Sequence, residues 1–460
     1  MFWVGAVLSN SGSWMQNIAV PFVVFEITGS PTMVGVATFA QLVPIVICGP
    51  VGGHLADRFP RRKVLLVTQA LAAVEAVALW VLWWMGASLV PLLAMVVVGG
   101  VIAGVNIPSW QAFISELVPR DVLLNAVTLN STQFNASRAV GPMVGGVVIA
   151  AFGPGAAFGI NAVSFTAIIG ALWMIRLAPP TPRHVQEQSR RRIVGDFMDA
   201  ARATRGFPGI RACFIAVVAL GALGGPLWSL LVVFAQKVFY VGAEGYGMLQ
   251  AALGIGSVVA APFIAGPGTR ARRSRLLLVA MFAYGACLMA FAATSWYPVA
   301  LVALIMASAG YLGIASALNT TIQLQVPEAI RGKVLALYVM LLTLAIPVGA
   351  LVQGAAADRV GAPLTVLVAG AGFVVATVWL WLGSGLLAHI DDEGPPPEEH
   401  PQSEVAQSRF VFEEGPSFGT TGADGAPAAG STGALVGGLA AMEQTDESLG
   451  PITDASHSCP

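Results

Sequence analysis

Apolar runs of about 20 residues, each bounded by polar or glycine-rich turns, recur along the first 390 positions of the chain. A helix of about 20 apolar residues crosses the roughly 30 Å of hydrocarbon in a bilayer. A run in lipid must be helical, because the bilayer offers no partner for exposed backbone groups. The pattern therefore predicts an all-α polytopic membrane protein with twelve transmembrane helices, at residues 3–25, 32–53, 64–86, 89–115, 124–152, 155–176, 209–235, 245–265, 275–294, 298–325, 333–356 and 363–388.

Polar segments divide these runs into two sets of six. The stretch 177–208 contains "RHVQEQSRRRIVGDFMDAARATR" and predicts a cytoplasmic linker between an N-terminal bundle, 1–176, and a C-terminal bundle, 209–390. Residues 391–460 hold 13 acidic residues and one basic residue, Arg409, in a Gly/Ala/Ser-rich background. Such a segment has too little apolar surface to fold, so a disordered acidic cytoplasmic tail is predicted.

A weak internal repeat supports two related halves. "ELVPRDVLLNAVTL" (116–129) aligns with "LQVPEAIRGKVLAL" (324–337) at an offset of 208 residues, which places Pro119 on Pro327. The same offset places "GPMVGG" (141–146) on "GALVQG" (349–354). Duplicated bundles with a site between them are typical of transporters.

The composition excludes other classes of protein. The chain is 56% hydrophobic and 10% charged, with a mean hydropathy of +0.77, outside the range of soluble globular proteins. Its four cysteines are scattered, and its five histidines fall in predicted loops or in the tail. Neither a nucleophile–base pair nor a metal-ligand spacing is visible, so we expect no enzyme and no cofactor or metal. The sequence also lacks the GxxxxGK[ST] loop that binds ATP, which leaves an ion gradient as the driving force.

The charges of the short loops predict the orientation. With both termini in the cytoplasm, 20 basic residues fall on the cytoplasmic side and only Lys237 and Arg359 fall outside. Basic residues in short loops are retained in the cytoplasm. We therefore expect a multi-pass protein of the bacterial inner membrane, whose partners are the bilayer and a small-molecule substrate. A monomer is expected, without a nucleic-acid partner.

One segment, "GGHLADRFPRRKVLL" (52–66), concentrates charge between two apolar runs. Its position predicts a tight cytoplasmic loop between helices 2 and 3. Anchoring at the membrane surface explains Arg61, Arg62 and Lys63, but it does not explain Asp57 beside Arg58. A carboxylate there can pair with an arginine or with the N-terminus of a neighbouring helix. Such contacts form in one conformation and break in another, as a gate requires.

This segment resembles the loop signature of the major facilitator superfamily, G-x-x-x-D-R-x-G-R-R/K, with proline at position 60 in place of glycine and with the matching residues Gly53, Asp57, Arg58, Arg61 and Arg62. With "TGSPTMVG" and "VPEAIRGKV", residues 1–390 resemble the bacterial transmembrane secretion effector group, to which enterobactin exporters belong. The resemblance implies two six-helix pseudo-repeat bundles that work by alternating access. It also implies that Asp57, Arg58 and Arg62 lock the cytoplasmic side in the outward-open state.

Helix 5 carries a second resemblance, to the G-P-x-x-G-G core of the superfamily's antiporter motif, which is associated with export. The matching residues are Gly141, Pro142, Gly145 and Gly146. Small residues also let helices approach closely, and this simpler explanation stays open.

Two ionisable residues fall well inside predicted spans. Arg138 on helix 5 should face the interior and have a partner, because an unpaired guanidinium in the membrane costs at least about 2.5–3.5 kcal/mol. Glu75 on helix 3 is a candidate proton carrier. Alternatively, Glu75 neutralises Arg138 or contacts a polar neighbour.

Helices 1, 4 and 10 each carry amide and aromatic residues along one face. In the superfamily, helices 1, 4, 7 and 10 line the central cavity, so the resemblance gives these candidate substrate-binding residues: Asn10, Trp14, Asn17, Asn106, Trp110, Gln111, Phe113, Trp228, Tyr311, Asn319 and Gln323. Each amide also has a simpler explanation as an interhelical hydrogen bond. A cavity with almost no charge favours bulky, partly apolar solutes such as drugs, secondary metabolites, siderophores or lipids.

The sequence thus predicts a secondary active transporter that exports such a solute in exchange for protons. An uptake symporter or lipid flippase on the same fold is an alternative. A non-transporting membrane sensor that signals through the acidic tail is another.

Overall fold

A computed structural model describes residues 2–175, 202, 204–266 and 272–392. The described chain forms twelve long helices, α1 (Phe2–Thr28), α2 (Pro31–Arg58), α3 (Arg61–Trp84), α4 (Leu89–Leu117), α5 (Leu123–Phe152), α6 (Pro154–Met174), α7 (Pro208–Val238), α8 (Gly242–Ala265), α9 (Arg273–Ala293), α10 (Tyr297–Gln325), α11 (Glu328–Val360) and α12 (Ala362–Gly383). Helix α7 contains π-helical turns at Leu220–Gly224 and Phe234–Val238, and α12 ends in one at Trp379–Gly383.

Eleven of these helices, α2 to α12, are long and apolar enough to cross a membrane. Helix α1 has the length, but Asn10, Gln16 and Asn17 reduce its hydropathy. It packs against α2, α5 and α6 within the same bundle, which makes it the twelfth member. The predicted all-α fold of twelve helices is therefore confirmed, although α2 and α11 extend about a turn beyond their predicted spans.

Proline and glycine set many of the helix boundaries. Five helices have a proline in their first turn, where the missing N–H group is not needed. Single glycines in left-handed conformations, Gly153 (φ 81°) and Gly361 (φ 89°), separate α5 from α6 and α11 from α12. These two glycines lie 208 residues apart, the offset of the sequence repeat.

The glycines of the repeat make equivalent contacts in the two halves. A methyl group on Gly141 of α5 would lie 2.6 Å from Trp14 Cβ on α1, and one on Gly349 of α11 would lie 2.3 Å from the Ala222 carbonyl oxygen on α7. Helix α1 is the first of the N-terminal bundle and α7 the first of the C-terminal bundle. The two six-helix bundles are thus pseudo-repeats in structure as well as in sequence.

The bundles meet along two seams, α5 with α8 and α2 with α11. Across the first seam, a methyl group on Gly146 would lie 2.5 Å from Gly247 Cα. Across the second, methyl groups on Gly35 and Gly354 would lie 2.4 Å and 2.7 Å from the carbonyl oxygens of Ala350 and Pro31. The two seams are equivalent under the repeat, since α5 corresponds to α11 and α2 to α8.

The two bundles are joined at one end and apart at the other. We call the end that carries the α2–α3 junction the basic end, and the end that carries the α1–α2 junction the far end. The far half of α5 packs closely, with Gly145, Gly146 and Ile149 buried, whereas its half nearer the basic end is exposed on most sides, including Leu124 and Val127. The seams therefore join the bundles near the far end and leave them apart near the basic end.

The charged segment at the basic end was predicted as a tight loop, but all of its charged residues lie on helices. Helix α2 continues through Asp57 and Arg58, α3 starts at Arg61, and only Phe59 and Pro60 lie between them. Proline at position 60 fits because it precedes the first turn of α3 and leaves no backbone donor unsatisfied there.

The arginines of α3 hold the N-terminal bundle together. Arg61 Nη1 lies 3.3 Å from Glu116 Oε1 and donates to the carbonyl oxygen of Ala112 at 2.6 Å, both on α4. Arg62 donates to the carbonyl oxygens of Leu172 and Trp173 at 2.7 and 2.8 Å, at the C-terminus of α6 where the helix dipole favours a cation. These contacts lie within one bundle, so a lock between bundles through Arg62 stays a prediction.

The segment after α12 docks on the C-terminal bundle. A short 3₁₀ helix, Leu386–Asp391, is held by Gln325, whose side-chain amide donates to the carbonyl oxygens of His389 (2.6 Å), Ile390 and Asp392 (both 3.1 Å). Asp391 and Asp392, the first two residues of the predicted tail, thus belong to this docked segment. The rest of the predicted tail lies outside the described residues, as does nearly all of the predicted linker.

Adjacent glycines on α2 allow a direct test of the packing within the N-terminal bundle. A methyl group on Gly52 would lie 2.6 Å from Val105 Cα on α4, whereas one on Gly53 would meet no atom of the described chain within 4 Å. Both changes to alanine add the same helix propensity. We expect Gly52→Ala to lower the thermal unfolding midpoint in detergent, at a cost of about 1–3 kcal/mol for overpacking, and Gly53→Ala to leave it unchanged or slightly higher. Equal midpoints for the two variants would contradict this packing.

Candidate functional site

A cavity of about 440 Å³ lies between the two bundles. Most of its wall comes from α1 to α4, while α7 contributes three residues, α6 two, and α5, α8 and α11 one each. The wall is amphipathic: apolar side chains alternate with amides and hydroxyls, and its main polar and aromatic members are Asn10, Trp14, Gln16, Asn17, Gln41, Thr68, Gln69, Glu75, Asn106, Phe134, Asn161, Phe165, Trp228 and Gln250.

Most amides of the wall bind one another across helices. Gln41 on α2 donates to Asn17 on α1 at 2.8 Å, and Thr68 on α3 donates to Asn106 on α4 at 2.9 Å. Asn10 on α1 donates to Gln133 on α5 at 3.0 Å. The interhelical hydrogen bonds considered from sequence are therefore present, and all of these side chains except Gln133 also line the cavity.

Glu75 is the acidic member of the wall. It is 5% exposed, and its two carboxylate oxygens accept hydrogen bonds from the Gln16 side chain at 2.9 and 3.2 Å. Gln16 in turn accepts a hydrogen bond from Asn161 on α6 at 2.7 Å. Gly99 on α4 leaves room for the carboxylate, since a methyl group there would lie 3.0 Å from Glu75 Oε1. Neutral amides thus hold Glu75 from one side.

Arg138 lies beside the cavity on α5. Its guanidinium carbon is 4.5 Å from the centre of the Trp228 ring, which belongs to the other bundle, and 5.7 Å from the Trp14 ring. Within the described chain, no carboxylate lies within 4.0 Å of this guanidinium. Of the alternatives considered from sequence, a pair between Glu75 and Arg138 is therefore not formed, and the polar neighbour of Glu75 is Gln16.

Five of the eleven candidate substrate-binding residues lie on the cavity wall: Asn10, Trp14, Asn17, Asn106 and Trp228.

Three candidates on α4 lie elsewhere. Trp110 stacks on Phe2 (ring centres 5.1 Å apart) and donates to Asn130, while Phe113 is fully buried in the same apolar cluster. Gln111 is exposed on the protein surface. The helical face that starts at Asn106 thus leaves the cavity after one turn, because the N-terminus of α1 covers its continuation.

The three candidates on α10 do not reach the cavity either. Tyr311 packs behind Trp228, with ring centres 5.7 Å apart. Gln323 is exposed and hydrogen-bonded to Asn319. These two amides lie about two to three turns nearer the basic end than Tyr311 does. The bundles are apart at that end, so in this conformation the face of α10 that carries these two amides is separated from the cavity.

Sequence reasoning missed several members of the wall, namely Gln16, Gln41, Thr68, Gln69, Asn161 and Gln250. These lie mainly on helices 2, 3, 6 and 8, whereas the candidates predicted from sequence lie on helices 1, 4, 7 and 10. A usable signal was present, because a side-chain amide within an apolar span should face protein or a cavity.

The glycines of the α5 motif lie at contacts with neighbouring helices rather than at the cavity. Gly141 and Gly145 pack on α1, and Gly146 packs on Gly247 of α8, where the carbonyl oxygen of Pro142 is also close. Close helix packing therefore accounts for each glycine in this conformation, and the role in export stays a prediction.

No group of three or more His, Cys, Asp or Glu side chains that could hold a metal ion occurs among the described residues. The thiols of Cys48, Cys213 and Cys287 are free, and Cys459 lies outside that part of the chain.

Curated relatives are membrane transporters. The chain is 26% identical to the enterobactin exporter EntS of Citrobacter koseri over 84% of this chain and 92% of that protein. It is 25% identical to the multidrug efflux pump Tap of Mycolicibacterium fortuitum over 79% and 90%. Other matches are shorter: the chain spans 64% of the staphyloferrin A transporter of Staphylococcus aureus and 37% of the MFS-type transporter YfiS of Bacillus subtilis.

Solved structures share the fold at low sequence identity. A bacterial homologue of the human lysosomal transporter Spinster matches 86% of this chain and 98% of its own, with a TM-score of 0.67 and 15% identity. The xylose transporter XylE of Escherichia coli matches 82% and 95%, with a TM-score of 0.61 and 15% identity.

The family model described as "transmembrane secretion effector" matches residues 1–416 of the 460. Together with the twelve helices, the two pseudo-repeat bundles and the structural neighbours, this match shows that the chain belongs to the transmembrane secretion effector family of the major facilitator superfamily.

Proposed function

We propose that this protein is a proton-coupled exporter of a bulky, partly apolar small molecule in the bacterial inner membrane. The observation that carries the proposal is the amphipathic cavity between two bundles that are joined at the far end and separated at the basic end. Relatives whose names state export of enterobactin or efflux of drugs support the direction and the solute class. The coupling and the substrate are proposals.

The orientation follows from charge. Of the basic residues in the described chain, those outside the spans gather at the basic end, and only Lys237 and Arg359 lie at the far end. The positive-inside rule then puts the basic end and both termini in the cytoplasm. In that orientation the described conformation is open toward the cytoplasm, where an exporter loads its substrate.

Alternating access requires that the far end opens, and polar contacts there add to the glycine packing that closes it. Asp358 at the end of α11 accepts hydrogen bonds from the backbone N–H of Thr32 (2.9 Å) and the hydroxyl of Ser30 (2.6 Å), and also from the Thr32 hydroxyl. Its carboxylate thus caps the N-terminus of α2 from the opposite bundle, where the helix dipole favours an anion. Lys237 donates to the Gly29 carbonyl oxygen at 2.8 Å in the same region.

Proton coupling needs a carboxyl group that the cavity can reach and that bears no permanent counter-charge. Glu75 lines the cavity, is bound by the neutral amide of Gln16, and has no cation within 4.0 Å in the described chain. A proton on Glu75 would cancel a charge held in a largely apolar wall. Substrate and proton would then use the same cavity in turn, as antiport requires.

Removal of the Asp358 cap should favour opening of the far end. We expect Asp358→Ala to increase the outward-open population several-fold, because charge-assisted hydrogen bonds at this exposed site contribute on the order of 1 kcal/mol. Arg359→Ala is the matched control, since it removes a neighbouring exposed charge that makes no ion pair in the described chain. Electron-spin distance measurements between labels at Ile27 and Val360, in a cysteine-free background, report the separation of the two bundles at the far end. An unchanged distance distribution in Asp358→Ala would contradict the role of this contact.

Transport in inside-out vesicles tests export and coupling together. The lumen of the vesicles is acidified, and a pH-sensitive dye follows the release of protons from it. A panel of hydrophobic cations, macrolides and siderophores is then added. Wild type should release protons upon addition of a transported compound, and Glu75→Gln should release at least tenfold less, because its side chain holds no exchangeable acidic proton. Glu244→Gln, at an exposed acid in the first turn of α8, is the control and should behave as wild type.

Equal proton release by Glu75→Gln and wild type would show that Glu75 does not carry the proton, and the proposal of an exporter would stand. Silence of the wild type across the panel would count against proton-driven export.

A further inference from the structure

One cation beside the cavity, Arg138, has no hydrogen-bond acceptor within the described chain. Arg138 makes no hydrogen bond and no ion pair in the described chain, although it sits in the middle of a membrane-spanning helix. Its side chain is half-buried, and its guanidinium lies over the rings of Trp228 and Trp14. An arginine in a span normally pairs with a carboxylate or with backbone carbonyl oxygens.

Other polar residues of the cavity wall do have hydrogen-bond partners within the protein. Asn10, Asn17 and Asn106 are each bound to a side chain of a neighbouring helix, and Glu75 is bound to Gln16. The acidic residue of the described wall, Glu75, thus has a neutral partner and does not pair with Arg138. Unlike these residues, Arg138 has no polar side-chain partner in the described chain.

We propose that Arg138, with the rings of Trp14 and Trp228, forms a subsite for an anionic group attached to an aromatic or similarly planar part of the substrate. This inference rests on the proposed export function and deepens it by naming a chemical feature of the solute. The guanidinium presents in-plane donors that match a carboxylate or phenolate, while the two tryptophan rings provide flat apolar surfaces next to them.

The position of the subsite suits such a solute. Trp14 and Trp228 both line the cavity, and Phe134, one turn from Arg138, lines it as well and lies edge-on to Trp14 with ring centres 5.9 Å apart. Arg138 belongs to one bundle and Trp228 to the other. A solute bound here therefore contacts both bundles and can sense their relative movement.

The subsite changes the expectation of a cavity with almost no charge. Among the described residues, the acid Glu75 lines the cavity, and the base Arg138 lies over two tryptophan rings that line it. Small anions without an apolar part gain nothing from the tryptophan rings. The preferred solute is therefore amphipathic, with an acidic group on an aromatic body.

The test uses three probes that share one ring system and differ in charge: 6-methoxy-2-naphthoate, its primary amide, and the corresponding naphthylmethylammonium. Binding to the purified full chain in detergent, without a gradient, is followed by the anisotropy of the naphthyl fluorescence. Wild type should bind the carboxylate about tenfold or more tightly than the amide, the difference that one charge-assisted hydrogen bond gives. Arg138→Gln should remove this preference and leave the affinity for the amide within about twofold.

Matched variants separate charge, shape and folding. Arg138→Lys keeps the charge without the planar fork, and it should retain only part of the preference. Trp228→Phe should weaken the carboxylate and the amide together. Arg211→Gln removes an exposed arginine at the start of α7 and should bind as wild type. Unchanged elution and unfolding midpoints show that each variant is folded.

The outcomes separate this inference from the proposed function. No preference for the carboxylate in wild type, an equal preference in Arg138→Gln, or failure of all three probes to bind would overturn the subsite. Inorganic phosphate that competes as strongly as the naphthoate would overturn its aromatic part. Export of neutral or cationic compounds in vesicles without carboxylate preference would keep the exporter and reject the subsite. A preference for the carboxylate without any proton-coupled transport would keep the subsite and reject the proposed exporter.

Discussion

The bilayer offers no hydrogen-bond partners, and this constraint organises the interior of the protein. Each polar side chain within the helices must bind another one, a backbone group, or water in a cavity. The amides of α1 to α6 satisfy it by pairing across helices, as Gln41 does with Asn17 and Asn161 does with Gln16. Because these pairs surround a space instead of filling it, the bonds that hold the N-terminal bundle together also form the wall of the cavity.

Close approach of backbones is the second organising feature. Gly146 against Gly247 joins α5 to α8, and Gly354 against Pro31 joins α11 to α2. Without a hydrophobic effect between helices in lipid, dispersion contacts at short distance provide much of the association energy, and small residues make them possible. Both seams lie toward the far end, so a rotation of the bundles, as the proposed alternating access requires, would separate them together. Polar contacts such as the Asp358 cap then add a closure that is weak enough to break.

The two ionisable groups near the cavity differ in how the protein supports them. Glu75 is 5% exposed and bound by a neutral amide, whereas Arg138 is half-buried and contacts aromatic rings. They lie on different helices of the same bundle and form no pair. A pair would cancel both charges and leave neither for a ligand. In the proposed transport function, their separation leaves the acid for a proton and the base for an anionic part of the solute.

The sequence by itself determined the fold class, the number of helices and the internal repeat, because lipid imposes a length and a composition on every span and leaves few alternatives. It also identified Glu75 and Arg138, since charge within a span is rare enough to stand out. It did not determine which polar faces meet. Helical periodicity placed Asn106 and Trp110 on one face, but only the tertiary structure showed that Phe2 covers Trp110 and that Asn106 alone reaches the cavity. Likewise, the partner of Glu75 could not be predicted, because Gln16 lies 59 residues away and several amides were equally available. Side-chain contacts between distant helices depend on helix tilt and bundle conformation, and neither leaves a local pattern in the chain.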